Sequence, residues 1–137
     1  RAVNTGISAI IDGDGVIRTP ETFIDGDAEI ALETAWKDAK AVYLSFDIDV
    51  IDAGFVPGTG WPEPGGLLPR EALNLVKMVS EPGLAGIEVV ECSPPYDWAE
   101  QTALMSSRVI LDSLAAQVRT GKLGNKAAAR NRPAWGP

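Results

Sequence analysis

The stretch SFDIDVID at residues 45–52 follows the apolar residues AVYL at 41–44, and together they are the most informative part of the chain. An apolar run without polar alternation is typical of a strand buried on both faces, as in a parallel sheet. The run therefore predicts a strand over residues 41–46. This strand ends in a burst of carboxylates that begins at Asp47.

Asp47 and Asp49 lie two residues apart at the end of this strand. Residues two apart in a strand point to the same face, so both carboxylates are expected to point in the same direction. The carboxyl edge of a parallel sheet is where α/β proteins bind ligands. Two neighbouring carboxylates repel each other, which raises a pKa or recruits a cation such as Mg²⁺ or Mn²⁺. The alternative interpretation is an acidic loop exposed to solvent.

Strands and helices alternate along the rest of the chain. Apolar runs predict strands at residues 7–11, 41–46 and 84–90, and helical spacing predicts helices at about 25–40, 69–81 and 97–120. Asp97 and Glu100 are expected to form a capping box for the last helix, and Gly121 to cap its end. This order predicts an α/β fold with a parallel sheet. Three buried strands leave sheet edges unpaired, so the sheet looks like half of a larger one.

The loop FVPGTGWPEPGG at residues 55–66 contains four glycines and three prolines. Prolines stiffen a backbone and glycines permit its close approach, which suits the wall of a pocket. Within it, Trp61 is a candidate lid or a stacking surface for a flat cation. A plain surface loop, with Trp61 as an interface residue, remains the alternative.

Two further carboxylates accompany the last predicted strand. Glu88 lies within it, and Glu91 lies at its carboxyl tip, where a side chain can face a ligand. A guanidinium group matches a carboxylate through two parallel hydrogen bonds. A salt bridge within the fold is the other interpretation of both residues.

The composition excludes several classes of site. The 137 residues include no histidine and a single cysteine, Cys92, which excludes a His-dependent nucleophile, a zinc finger and an intrachain disulfide within this chain. The net charge of −7 argues against nucleic acid and anionic membranes and is compatible with a cationic ligand. No stretch resembles a signal peptide or a membrane span, and we expect a cytoplasmic protein.

A non-catalytic alternative involves the acidic turn at residues 12–15. Asp12, Asp14 and Glu21 have part of the spacing of an EF-hand loop, and this would make the chain a calcium-stabilised interaction module. Position 1 of such a loop would be Ile10, and Pro20 would lie inside it. A turn that joins a strand to a helix is the better interpretation.

Three motifs resemble the C-terminal half of the ureohydrolase family, which includes arginase, agmatinase and guanidino-acid hydrolases. They are SFDxDxxD at residues 45–52, PGTGxP at 57–62 followed by Gly65 and Gly66, and Glu91-x-x-Pro94. The resemblance extends over residues 6–121 and is closest to the agmatinase-like members. It implies a three-layer α/β/α fold with a central parallel sheet, of which only the C-terminal part is present.

The resemblance also implies an activity and a set of site residues. It implies two divalent metal ions, usually Mn²⁺ and in some relatives Ni²⁺, that activate a hydroxide for attack on a guanidinium carbon, so that urea and an amine leave. It further implies a homo-oligomer, a trimer or a hexamer. The implied roles are metal ligation by Asp47 and Asp49, catalysis and guanidinium binding by Glu91, substrate contact by Thr59, and support by Asp52 and Glu88. Substrate contact by Trp61 is expected from its aromatic side chain and not from the family pattern.

The chain departs from the family pattern in three ways. Ala53 stands where a proline usually follows the third aspartate, and Trp61 stands where the family often has a small residue. The histidine-containing metal motifs of the family belong to an N-terminal half that these 137 residues lack. We therefore expect a fragment that is inactive alone, with residues 1–121 as the C-terminal half of the domain and 122–137 as a basic tail. A structural role, in association with intact subunits of the family, is a further alternative.

Overall fold

The structure of the protein is a computed structural model that describes residues 36, 37, 39 and 41–124. The predicted strand at 7–11, the EF-hand-like loop of Asp12, Asp14 and Glu21, almost all of the predicted helix at 25–40 and the end of the tail lie outside the described residues. The prediction of a calcium site is therefore not tested by the structure.

Two strands and two long helices alternate along the described chain. They are β1 (Tyr43–Asp47), α1 (Pro69–Ser80), β2 (Gly86–Val90) and α2 (Gln101–Arg119), and short 3₁₀ helices span Ile48–Val50 and Pro94–Tyr96. The two strands pair in parallel, with Phe46 opposite Val89. The predicted α/β class with a parallel sheet is confirmed.

The core lies between one face of the sheet and the two helices. Phe46 of β1 packs there with Val76 of α1 and Val109 of α2, and the partly buried Leu44 and Ile87 extend the cluster. These residues are brought together because alternate strand residues face the helices and helical spacing places apolar residues on one side of α1. Pro69 begins α1 as predicted, since its fixed φ angle suits the first helical position.

The opposite face of the sheet differs from the prediction for residues 41–46. Tyr43 is 58 % exposed, and Ser45 and Glu88 on the same face are also exposed. The ring of Tyr43 lies across Gly86, where a Cβ atom would come within 2.7 Å of it. The prediction that β1 is buried on both faces is thus wrong for the part of the chain that the structure describes.

Helix α2 begins later than the sequence predicts. It begins at Gln101, and Glu100 precedes it with a positive φ angle of 57°, so Asp97 and Glu100 do not form a capping box. The Asp97 carboxylate nevertheless accepts hydrogen bonds from the first-turn amides of Thr102, at 3.1 Å, and Ala103, at 2.8 Å. Asp97 therefore satisfies free amides of the helix from a position outside it.

The end of α2 agrees with the prediction. Gly121 has a φ angle of 70°, and its N–H donates to the carbonyl of Val118 at 3.1 Å. The N–H of Lys122 donates to the carbonyl of Gln117 at 2.8 Å. This pair of bonds is a Schellman motif, which requires the left-handed conformation that glycine adopts most readily.

The two sides of α2 have an unusual distribution of polarity. Its buried side carries Ser113, whose hydroxyl lies 2.8 Å from that of Ser80, and Gln117, which accepts a hydrogen bond from the Leu84 amide at 2.9 Å. Its outer side carries the exposed Leu104, Leu111, Leu114 and Val118. Neither helix in the described part of the chain has the length and hydrophobicity that a membrane crossing requires.

Candidate active site at the carboxyl ends of two strands

The candidate site lies where β1 and β2 end side by side. Asp47, the last residue of β1, is in register with Val90, and Glu91 follows Val90 directly. Since the strands are parallel, their carboxyl ends meet at one edge of the sheet, the usual position of ligand sites in α/β folds. The fold thus brings two of the predicted site residues together.

Asp47 and Asp49 reach this edge by a different geometry from the one predicted. The chain leaves the extended conformation after Asp47 and forms the 3₁₀ helix Ile48–Val50. The Asp47 side chain caps this helix, because its Oδ1 accepts a hydrogen bond from the Asp49 N–H at 2.9 Å. The expectation of two aspartates on one face of one strand is wrong, and the turn leaves Asp47 exposed and Asp49 buried.

Asp49 is the most constrained carboxylate of the site. It is 9 % exposed, and its Oδ1 is buried without a hydrogen-bond partner among the residues that the structure describes. Burial raises the pKa of Asp49, hydrogen bonding to Thr59 opposes the rise, and the charges of Asp47 and Glu91 add to it. Asp49 is therefore repelled by the negative charges of both Asp47 and Glu91, an electrostatic setting that favours a bound cation.

Asp52 holds the loop that follows the first carboxylates. Its Oδ1 accepts from the Gly54 amide at 2.8 Å, and its Oδ2 accepts from the Gly65 amide at 2.7 Å. These hydrogen bonds, from Gly54 first and then Gly65, lower the pKa of Asp52. A single carboxylate thus joins the two ends of the loop at residues 54–65.

The PGTG segment is fixed against the turn that follows β2. The Gly58 amide donates to the Thr102 hydroxyl at 2.8 Å, and the Gly58 carbonyl accepts from the Ser93 amide at 2.8 Å. A Cβ atom on Gly58 would lie 2.3 Å from that of Asp97, so a side chain there would clash. The site loop is therefore packed directly on the start of α2.

Thr59 and Trp61 occupy opposite environments in this loop. Thr59 is 3 % exposed, and its backbone forms an antiparallel bridge with Cys92. Its Oγ1 accepts a hydrogen bond from the Trp61 N–H at 3.2 Å. The Trp61 side chain is 66 % exposed, which leaves its indole available at the rim.

Glu91 has a strained backbone. Its φ angle is 65°, in the left-handed region that costs a residue with a Cβ roughly 1–2 kcal/mol. Its side chain is exposed and lies over Gly60, where a Cβ atom would come within 3.6 Å of Glu91 Oε2. Strain of this kind is often stored at functional sites, and here it directs a carboxylate from the strand end towards the PGTG segment.

Glu88 is separate from this group. It lies in the middle of β2, opposite Ser45 on the exposed face of the sheet. Sequence reasoning also gave no role to Thr102, which holds the Gly58 amide. No local pattern marks such a residue, because the two partners are 44 positions apart.

The arrangement supplies part of a cation site. Within residues 41–124 and the three described positions before them, no group of three acidic, histidine or cysteine side chains is placed to hold a metal ion. The unpartnered oxygen of Asp49 beside Asp47 still matches oxygen donors for a hard or borderline cation. The exposed Glu91 is a separate carboxylate that can pair with a cationic ligand.

Comparison with known proteins gives consistent results. The model of the arginase family matches residues 19–115. The chain is 42 % identical over 77 residues to the mitochondrial guanidino acid hydrolase of Homo sapiens, covering 56 % of this chain and 22 % of that protein. It is 37 % identical over 119 residues to agmatinase of Chromobacterium violaceum, and this match covers 83 % of this chain and 37 % of that protein.

A solved structure shows the same fold. Formimidoylglutamase from Bacillus subtilis superimposes with a TM-score of 0.64 at 31 % identity, covering 67 % of this chain and 29 % of that one. The chain therefore spans between about a fifth and two fifths of the length of these relatives.

Proposed function

The chain belongs to the arginase family, and from this we propose that it supplies the carboxylate side of an active site that hydrolyses a guanidino compound. The reaction adds water across a C–N bond of the guanidinium group and releases urea and an amine. The buried, unpartnered oxygen of Asp49 beside Asp47 and Glu91 is the observation that carries the proposal. The names of the guanidino acid hydrolase and agmatinase relatives support the substrate class.

Asp47 and Asp49 are the proposed metal ligands. Both present oxygen donors at the sheet edge, and the crowding of negative charge around Asp49 would be relieved by a cation. Divalent ions of this kind supply a hydroxide nucleophile at neutral pH and stabilise developing negative charge. We propose Mn²⁺ ahead of Ni²⁺, with further ligands contributed by residues other than these two.

Glu91 is the proposed partner of the substrate guanidinium. Its carboxylate is exposed at the end of β2, and the strained backbone directs it over the flat surface that Gly60 provides. Two parallel hydrogen bonds to a planar guanidinium would orient the carbon that water attacks. Binding of a cation here would also offset the repulsion between Glu91 and the buried Asp49.

Trp61 is the proposed selector of substrate size. Its exposed indole follows the PGTG segment, and the loop that carries it is closed by Asp52. An aromatic face at the rim would stack on a planar cation and narrow the entrance. This favours a small guanidino acid or guanidine itself over longer substrates.

Assembly and surroundings are further parts of the proposal. A homo-oligomer, a trimer or a hexamer, is supported by the exposed leucines on the outer side of α2, because apolar side chains in a row are typical of contact surfaces. The cytoplasmic location stays a prediction from composition.

The test is urea release by the full-length protein. We expect the protein, loaded with Mn²⁺, to release urea from at least one of arginine, agmatine, guanidinobutyrate, guanidinopropionate and guanidine. Protein stripped with a chelator is the matched control, and activity should return when Mn²⁺ is restored. An absence of urea from all five substrates with metal bound, or full activity after stripping, would contradict the proposal.

A further inference from the structure

We propose that Gly60 is a specificity-determining residue, whose lack of a side chain leaves the Glu91 carboxylate open to a flat guanidinium group. This inference rests on the proposed function and adds a residue to the same site. Two observations carry it. Gly60 lies beside Glu91 in the folded chain, and the described structure contains no other reason for a glycine at this position.

Gly60 and Glu91 are neighbours on two segments that run antiparallel. Thr59 forms an antiparallel bridge with Cys92, so the residue after Thr59 lies beside the residue before Cys92. Opposed residues of antiparallel segments have Cβ atoms about 4.5–5.5 Å apart. A Cβ atom on Gly60 would indeed lie 3.6 Å from Glu91 Oε2. Both residues are exposed, so a ligand from solvent can reach the space between them.

The local fold does not require a glycine at position 60. The φ angle of Gly60 is outside the left-handed region, so alanine can adopt the same backbone. Among the described residues outside its immediate neighbours, Glu91 Oε2 is the only atom within 4 Å of the position that a Cβ would take. Their separation of 3.6 Å is an ordinary van der Waals distance, so a methyl group fits there in the free protein.

Other glycines of the same loop have structural reasons that Gly60 lacks. A Cβ atom on Gly58 would lie 2.3 Å from that of Asp97, so packing excludes a side chain there. Gly65 has a φ angle of 87°, which side chains disfavour. At Gly60 neither reason applies, and the open space beside Glu91 is what the missing side chain provides.

This space suits a flat cation. A guanidinium group pairs with a carboxylate through two parallel hydrogen bonds and therefore needs both oxygens of Glu91. A glycine also lets a ligand come close to the backbone. A methyl group at position 60 would touch Oε2 and take up part of the room that the guanidinium nitrogen needs.

The experiment measures binding and stability of Gly60→Ala in the full-length protein. Agmatine and guanidinobutyrate share the guanidinium group and carry opposite charges at the other end, and each is titrated calorimetrically into metal-stripped protein. We expect both dissociation constants to rise about 10-fold or more, because hydrogen bonds to a charged group are weakened. The melting temperature should equal or exceed that of wild type, because an alanine that fits restricts the unfolded chain.

Gly65→Ala is the matched control from the same loop. No atom lies within 4 Å of its Cβ position among the described residues, but its positive φ angle strains any side chain. We expect a lower melting temperature and unchanged dissociation constants, which is the opposite result to that of Gly60→Ala.

Three results would overturn the inference. Unchanged dissociation constants in Gly60→Ala would show that the space beside Glu91 is not used, and a lowered melting temperature would show that the fold itself needs this glycine. Failure of wild type to bind either probe would also contradict it. Urea release is measured separately with Mn²⁺ bound. Probes that bind without releasing urea would contradict the proposed function and leave the role of Gly60 in binding intact.

Discussion

Asp49 and Glu91 both follow the end of a strand in the same parallel pair, yet their surroundings are opposite. Asp49 is buried in a 3₁₀ turn that Asp47 caps, and one of its oxygens has no partner in the described structure. Glu91 is exposed, and its backbone carries the strain. One carboxylate is thus fixed by packing and the other by an unfavourable φ angle.

The difference in burial suggests that the two strand ends bind different kinds of cation. A buried carboxylate that is crowded by like charges is stabilised by a cation that stays bound. An exposed carboxylate keeps its hydration until a cationic ligand arrives and can exchange that ligand. This difference is the basis of our proposal that a metal ion binds at the end of β1 and the substrate at the end of β2.

The largest effect is expected from removing the buried carboxylate. In the full-length protein, Asp49→Ala or Asp47→Ala should lose bound metal together with activity, by about 1,000-fold or more, because metal catalysis contributes several kcal/mol. Metal content and urea release measure the two losses. Glu63→Ala, an exposed carboxylate of the same loop, is the control. Normal metal content and activity in Asp47→Ala would show that the end of β1 does not bind the metal.

Substitution of the exposed Glu91 is expected to have a smaller effect, on substrate use and not on metal content. Glu91→Gln should retain metal and lower kcat/KM by about 10- to 100-fold, because hydrogen bonds to charged groups are worth about 1.5–3 kcal/mol. The same metal analysis and urea assay apply. Loss of metal from this variant would mean that Glu91 belongs to the metal site rather than to the substrate.

The strain at Glu91 can be measured directly. With a φ angle of 65°, Glu91→Gly should unfold at a higher temperature than Glu91→Ala, with a difference of about 1 kcal/mol in the free energy of unfolding. Thermal melts followed by circular dichroism compare the two variants, which both lack the carboxylate. Equal melting temperatures would show that the backbone at this position is relaxed.

The smallest effect concerns Asp52 and pH. The pKa of Asp52 is lowered by hydrogen bonds from the Gly54 and Gly65 amides. The charged carboxylate therefore stabilises the fold fully at pH values above the ordinary aspartate pKa of about 3.9. This stabilisation is lost as the pH falls through the lowered pKa of the folded protein. Asp52→Asn should melt a few degrees below wild type at pH 7, and the difference should shrink towards pH 3. A difference that is constant with pH would indicate that packing, rather than charge, is responsible.

The arrangement of the strands and helices could be predicted because burial leaves a periodic pattern in the sequence. The apolar run before Asp47 and the apolar spacing in α1 each indicate their element, and the parallel pairing brings Asp47 and Glu91 to one edge. Proline and glycine mark the beginning of α1 at Pro69 and the end of α2 at Gly121.

The fine geometry of the site could not be predicted because long-range contacts decide it. The rule that alternate strand residues face the same side does not apply after Asp47, because the strand ends there. The Asp47 side chain caps a 3₁₀ turn in which Asp49 is buried. The positive φ angle of Glu91 could not be predicted from the sequence, because glutamate rarely adopts such an angle. The support of Gly58 by Thr102 depends on two segments that only the folded chain brings together.

The hydrogen bond from the Gly58 amide to the Thr102 hydroxyl makes it possible to measure local opening of the site by hydrogen exchange. The amide is buried, and its acceptor belongs to the first turn of α2. Its proton can exchange with solvent only when that turn and the PGTG segment separate, so the exchange rate measures how often the site comes apart. Isotope labelling at this one amide would follow that opening in the resting protein, without substrate and without turnover.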